Sequence, residues 1–192
     1  VPLLAALTGL AEERGASGLR RVMAYVVGME AMIRLARAVN FVHYDKGWHP
    51  TATMGVFGAA AAASHLIGLD APRTATALAL AASMASGLKA NFGTMTKPFH
   101  VGHCARNGLL AALMAEQGYE ANHGVMEHHQ GFLDVFNGPG QHDAARIFAD
   151  WAAPLEIEAP GIASVERKGA EGPLSVITNV LGSGVFMSWM IL

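Results

Sequence analysis

The sequence is poor in charged residues and has a single cysteine. Only 15% of its 192 residues are Asp, Glu, Lys or Arg, whereas 52% are hydrophobic. A formal net charge of −2 provides no basic footprint for nucleic acid, so we expect no nucleic-acid partner. Cys104 cannot form an internal disulfide and suits a reducing compartment, which favours a cytoplasmic location and a buried, inert thiol.

The sequence also lacks a recognisable targeting signal and a convincing membrane span. It opens at Val1 in helix-like sequence, without a basic n-region or a small-residue cleavage site, and so resembles the middle of an architecture. Lys46 and Asp70 bound an uncharged stretch, but His, Thr and Ser residues interrupt it, whereas a spanning helix needs about 20 strongly apolar residues. We therefore expect no membrane partner.

Apolar residues recur at three- and four-residue steps, which predicts an all-α fold, at least to residue 152. A first helix ends near Gly15 and a second runs from a cap at Ser17 to about Asn40. The first helix should bury Leu3, Leu4, Leu7 and Leu10. The second should bury Val22, Val26, Met29, Ile33 and Ala36, with its wetter sides marked by Arg20, Arg21, Glu30, Arg34 and Arg37.

Two further helices are predicted to be fully buried because their sequences are uncharged. One is capped by Thr51 and ends at Gly68, and its small residues would allow other helices to approach closely. The next is capped by Asp70 and is uncharged from Thr74 to Leu88. Later helices are expected over Ala105–Gln117 and over His142–Trp151, the latter with Ile147 and Phe148 inward.

The segment Lys89–Gly108 lies between apolar helices and holds the densest group of polar side chains. Gly93 and Pro98 interrupt helical periodicity, so we expect a loop, where binding and catalytic groups are often found. Its lysines and histidines need partners in apolar surroundings, and an anionic ligand would supply them. A solvated helix connection without a ligand is the alternative.

Other polar clusters do not favour a metal site. His100 and His103 are three residues apart, and Glu127, His128 and His129 are adjacent, but zinc sites need three or four converging ligands. We therefore expect no metal. The Glu-His-His run is interpreted as a solvated turn.

Three long motifs in unbroken order carry a family resemblance. They are GWHPTATMGVFGAAAAA at 47–63, ASGLKANFGTMTKPFHVGHCARNGLLAALMAEQGY at 85–119 and GFLDVF at 131–136. The chain resembles the MmgE/PrpD family over residues 1–163, which would be part of a large helical domain. The family includes 2-methylcitrate dehydratases and cis-aconitate decarboxylases. Residues 164–192 show no resemblance and are interpreted as a divergent tail.

The resemblance implies a site and an assembly. His49 matches the histidine of the family's W/F-H-P motif and Lys97 the lysine of its T-K-P motif, which implies catalytic roles for both. Asn91, Thr96 and His100 lie in the same matched stretch and are substrate-binding candidates. Family members are homodimers that use neither a metal nor an organic cofactor, so the resemblance implies the same here.

The chemistry of the family explains these residue types. Lys97 is suited to bind a carboxylate and His49 to transfer protons, whether a small polycarboxylate is dehydrated or decarboxylated. A 2-methylcitrate dehydratase-like hydro-lyase is our first expectation, and a cis-aconitate decarboxylase-like carboxy-lyase is the alternative. The family's upstream Asp/His region and its lid have no counterpart in this sequence. A catalytically incomplete fragment or a helical dimerisation module therefore stays open.

Overall fold

Helices make up the regular structure of the chain. A computed structural model describes residues 1–39, 41–151 and 155–157. Within those ranges the chain forms nine α-helices and no β-strand, so the predicted all-α class is confirmed. The helices are α1 (Pro2–Glu13), α2 (Gly18–Val39), α3 (Val42–Asp45), α4 (Pro50–Thr53), α5 (Gly55–Ile67), α6 (Ala71–Met84), α7 (Thr96–Glu116), α8 (Phe132–Asn137) and α9 (Ala145–Phe148).

Helix α5 is the centre of the core. It packs against α1, α2, α6 and α7, and all of its residues except His65 and Ile67 are buried. Its side chains are mostly Ala and Gly, which lets four helices approach its backbone at once. The prediction of a buried, small-residue helix between Lys46 and Asp70 is confirmed.

Glycine is required where α7 crosses α5. A Cβ at Gly108 would lie 2.5 Å from the backbone oxygen of Val56 and 2.5 Å from the Cβ of Ala59. Neither neighbour is the end of a flexible side chain, so the helices would have to separate. Gly102, on the exposed side of the same helix, has no atom within 4 Å of the corresponding position.

These two glycines give opposite predictions for the same substitution. Gly108→Ala should lower the free energy of unfolding by about 2 to 3 kcal/mol, because overpacking displaces the α5–α7 contact. Gly102→Ala should raise it by about 0.5 to 1 kcal/mol, because alanine favours an exposed helix position. Urea unfolding of the two variants measures both. Equal effects of the two substitutions would show that α7 does not contact α5 as described.

The segment predicted as one loop is loop and helix. Helix α7 begins at Thr96 rather than at Ala105, and a 3-10 turn at Lys89–Asn91 precedes it. Pro98 did not end the helix because it is the third helical residue. The first backbone N–H groups of a helix have no partner within it, so a proline costs no hydrogen bond there.

The predicted helix ends were more accurate than the predicted buried faces. Ser17 Oγ accepts from Arg20 N, Asp70 Oδ1 accepts from Arg73 N, and Gly68 ends α5 with a φ of 80°. The expected cap at Thr51 was wrong, because α4 starts at Pro50. Helix α6 ends at Met84 and buries one face only, so full burial through residue 88 was also wrong.

Several side chains lie on the opposite side from the prediction. Leu4, Val22 and Phe148 are exposed, whereas Glu30 and Arg34 are buried. Arg34 is buried because it has partners there. Its Nε donates to Glu30 Oε1 at 2.5 Å, and its two Nη atoms donate to the backbone oxygens of residues 149 and 150.

The expectations on membrane spans, metal sites and the tail concern different parts of the chain. None of the helices in the described ranges has both the length and the apolarity needed to cross a bilayer. Over the same ranges, no three His, Cys, Asp or Glu side chains are grouped so as to hold a metal ion. The predicted boundary at residue 163 and the tail 164–192 lie outside the described residues.

Candidate functional site

His49 is held at the start of α4 by backbone pairing with a distant segment. Its N–H donates to the backbone oxygen of Gly87 at 3.0 Å, and Lys89 N donates to Gly47 O at 2.7 Å. Between these bonds, Trp48 and Leu88 form an isolated antiparallel bridge. The pairing joins the segment of His49 to the one that leads into α7.

His49 faces His100, which lies in the second turn of α7. The Nδ1 atoms of the two rings are 3.3 Å apart, within hydrogen-bonding distance. Both residues are buried, at 4% and 9% exposure. Phe92 packs against His49 in a T-shaped arrangement, with ring centroids 4.8 Å apart. The two histidines therefore form a buried pair with an aromatic wall.

Lys97 lies in the first turn of α7 and on the same aromatic ring. Its Nζ is 4.6 Å from the centroid of Phe92. A lysine at a helix N-terminus is unfavourable for the helix, because the aligned peptide dipoles already give that end a partial positive charge. The two positive contributions together favour an anion. The structure thus brings His49 and Lys97 together against Phe92, with His100 within hydrogen-bonding distance of His49.

Burial and neighbouring charges keep the two histidines neutral. Burial, together with smaller contributions from the nearby His100 and Lys97, lowers the pKa of His49 to about 4. The pKa of His100 is also lowered, by burial and by His103. A positive charge on either ring is thus disfavoured until negative charge arrives. A bound carboxylate would reverse this balance and favour protonation.

The other predicted substrate-binding residues are on the same segment but make local contacts. The backbone oxygen of Asn91 accepts from Thr94 Oγ1 at 2.8 Å, and Thr96 N donates to the same hydroxyl at 3.2 Å. These bonds shape the turn before α7. Asn91 and Thr96 therefore stay predictions as substrate ligands.

A third buried histidine was missed from the sequence. His43, in α3, is 2% exposed, and its Nδ1 lies 2.9 Å from Asn137 Oδ1 while its Nε2 lies 2.7 Å from Thr53 Oγ1. Asn137 Nδ2 donates to Leu133 O, which turns its oxygen toward the ring. Burial lowers the pKa of His43 to about 4. His43 thus links α8 to the short helix that follows His49.

Two other reactive side chains of the segment are occupied or buried. Lys89 Nζ donates to Tyr44 O at 2.7 Å and lies over the ring of Tyr44. Cys104 is 3% exposed, and burial raises the pKa of its thiol to about 12, so the expected inert thiol is present. Of the two lysines in the segment, Lys97 is the one beside the histidine pair.

The chain belongs to the MmgE/PrpD family. Residues 1–145 match the MmgE/PrpD N-terminal domain. The chain is similar to proteins named cis-aconitate decarboxylase: 38% identical to that of Homo sapiens over 136 residues and 37% identical to that of Aspergillus terreus over 141 residues. These alignments cover 69% and 71% of this chain but 28% and 29% of the relatives, so the chain spans less than a third of their length.

These comparisons confirm the family resemblance and sharpen the expected reaction class. The relatives are lyases by name, as the resemblance implied. Their name matches the alternative, a cis-aconitate decarboxylase-like carboxy-lyase, better than the first expectation of a 2-methylcitrate dehydratase. The motifs shared with the family did not separate the two, because both reactions can use a carboxylate-binding lysine and a proton-transferring histidine.

Proposed function

We propose that this chain supplies one side of the substrate site of a cis-aconitate decarboxylase-like lyase. The observation that carries the proposal is that His49 and Lys97 lie against Phe92 and that His49 is paired with His100, in a chain whose relatives bear that name. The substrate would be a small polycarboxylate. As predicted from the sequence, neither a metal nor an organic cofactor would take part, and the protein would be a cytoplasmic homodimer.

Lys97 would bind one substrate carboxylate. Its ammonium stands in the first turn of a 21-residue helix, where the helix dipole adds positive potential, and it can donate a charge-assisted hydrogen bond to the anion. Charge-assisted hydrogen bonds of this kind are roughly twice as strong as neutral ones. Lys97 would therefore also stabilise the negative charge that grows as carbon dioxide leaves.

His49 would supply the proton. The negative charge of the bound substrate favours the imidazolium, so the ring takes up a proton that it does not hold when the site is empty. When the carbon–carboxylate bond breaks, its electron pair stays on carbon and carbon dioxide leaves. The imidazolium then donates the Nε2 proton to that carbon and returns to the neutral form.

A panel of three substrates tests the proposal and its alternatives. The chain and a full-length cis-aconitate decarboxylase are incubated with cis-aconitate, citrate and 2-methylcitrate, and binding, released carbon dioxide and unsaturated product are followed. We expect saturable binding of cis-aconitate and carbon dioxide release. Binding without turnover would favour the incomplete fragment. Water loss from 2-methylcitrate alone would favour the dehydratase, and absence of any binding would favour the helical module.

A further inference from the structure

The hydrogen bond between His49 and His100 can run in either direction, depending on which ring carries the proton on Nδ1. Both nitrogens are Nδ1, so one ring donates its Nδ1–H and the other accepts. Two arrangements satisfy the bond when both rings are neutral. In one, His49 carries the proton on Nδ1 and has a free lone pair on Nε2. In the other, His100 carries it on Nδ1 and His49 carries its own on Nε2.

The arrangements differ once His49 is protonated. An imidazolium carries protons on both nitrogens, so His49 can then only donate through Nδ1. If His100 also had its proton on Nδ1, two N–H groups would face each other at 3.3 Å in a buried site. The hydrogen bond between the two Nδ1 atoms is present in both protonation states of His49 only when His100 carries its proton on Nε2 and accepts through Nδ1.

We propose that His100 is a positioning residue that accepts the Nδ1–H of His49, so that Nε2 of His49 is the atom that gains and releases a proton. This inference rests on the proposed function for its catalytic meaning, but the tautomers themselves do not depend on turnover. The hydrogen bond made by one ring nitrogen sets the protonation of the other.

Gly87 lies next to both histidines of the pair. A Cβ at Gly87 would lie 3.4 Å from Cγ and Nδ1 of the His100 ring and 3.1 Å from the Cβ of Ala52, and Gly87 has a φ of +125°. Gly87 is also the residue whose oxygen accepts the N–H of His49. Gly87 thus accepts the N–H of His49 and lies beside the ring of His100.

Nitrogen-15 NMR of histidine side chains in the 192-residue chain, without added substrate, tests the assignment. At neutral pH we expect His49 as the Nδ1–H tautomer and His100 as the Nε2–H tautomer. Two internal references are available: His43 should be Nδ1–H, because Asn137 Oδ1 can only accept, and His103 should be Nδ1–H, because Asn107 Nδ2 can only donate to its Nε2. The opposite tautomers at His49 and His100 would overturn the proposal.

Two substitutions of His100 distinguish a role in orienting His49 from a role in packing alone. His100→Asn keeps an acceptor oxygen near the place of Nδ1 and should leave His49 as Nδ1–H. His100→Leu removes the acceptor and should move His49 toward the Nε2–H tautomer, with a fall in kcat of about 10²-fold and little change in KM. An unchanged His49 tautomer in His100→Leu would overturn the proposal. Failure to bind cis-aconitate with the expected tautomers present would instead contradict the proposed function alone.

Discussion

Acidification from pH 7 to pH 5 is expected to lower the free energy of unfolding by about 4 kcal/mol through His43 and His49 alone. Each ring has a pKa of about 4 in the folded chain, against an ordinary value of 6.5. Between these values the unfolded chain binds more protons than the folded chain. Stability is therefore complete above about pH 6.5 and is lost as the pH falls toward 4.

Other titratable groups alter the pH dependence of stability without reversing it. The lowered pKa of His100 acts in the same direction. Burial raises the pKa of Glu156, which Arg37 and Arg34 oppose, and a raised carboxyl pKa favours folding as the pH falls. His43 and His49 dominate because both are almost fully buried and the pKa of each is lowered to about 4.

Urea unfolding at pH 7, 6 and 5 measures the slope. His43→Phe keeps an aromatic ring beside Trp48 and Phe136 and removes one titrating group. Its pH dependence should be smaller by about 2 kcal/mol over this range, whatever its stability at pH 7. A free energy of unfolding that is constant from pH 7 to pH 5 would contradict the burial of both neutral rings.

Much of the helical architecture could be predicted, because its signals are local. Ser17, Gly68 and Asp70 stand at helix ends for reasons that depend on a few neighbouring residues. The Ala- and Gly-rich sequence of α5 likewise predicts its own burial. The start of α7 was missed because Pro98 was interpreted as a helix breaker. A proline is tolerated in the first turn of a helix, but the sequence did not show that Pro98 lies there.

Burial of charge could not be predicted, because the partners are remote in sequence. Arg34 looks like a surface residue within α2, and its carbonyl partners lie 115 and 116 residues later. His43 is satisfied by Thr53 and by Asn137, which is 94 residues away. The hydrophobic periodicity within α2 and α3 does not predict such contacts.

The candidate site was predicted as a set of residues but not as an arrangement. Family motifs singled out His49 and Lys97, and the structure places both beside Phe92. The bond between His49 and His100 spans 51 residues, so the pairing of their Nδ1 atoms needed the fold. Phe92 was overlooked because an aromatic residue in an apolar chain carries no distinguishing signal.

On the proposed function, replacement of Lys97 by methionine is expected to remove most of the decarboxylation of cis-aconitate. Methionine keeps a flexible apolar chain of similar length beside Phe92 and lacks the ammonium. The loss of a charged group that stabilises developing negative charge should lower kcat/KM for cis-aconitate by about 10²- to 10³-fold. The affinity for cis-aconitate should fall by about 10-fold or more, since a charge-assisted bond to the substrate carboxylate is lost.

Lys89 provides the matched control. It has the same charge and lies in the same segment, but its ammonium is engaged by the backbone oxygen and the ring of Tyr44. Lys89→Met should therefore leave cis-aconitate binding and turnover close to those of the unsubstituted chain.

The most direct measurement is the comparison of these two lysine variants in cis-aconitate binding and carbon dioxide release. The site described around Phe92 predicts a large loss in Lys97→Met and little change in Lys89→Met. Retention of binding and turnover in Lys97→Met, or an equal loss in both variants, would contradict the assignment of Lys97 and His49 to one carboxylate site.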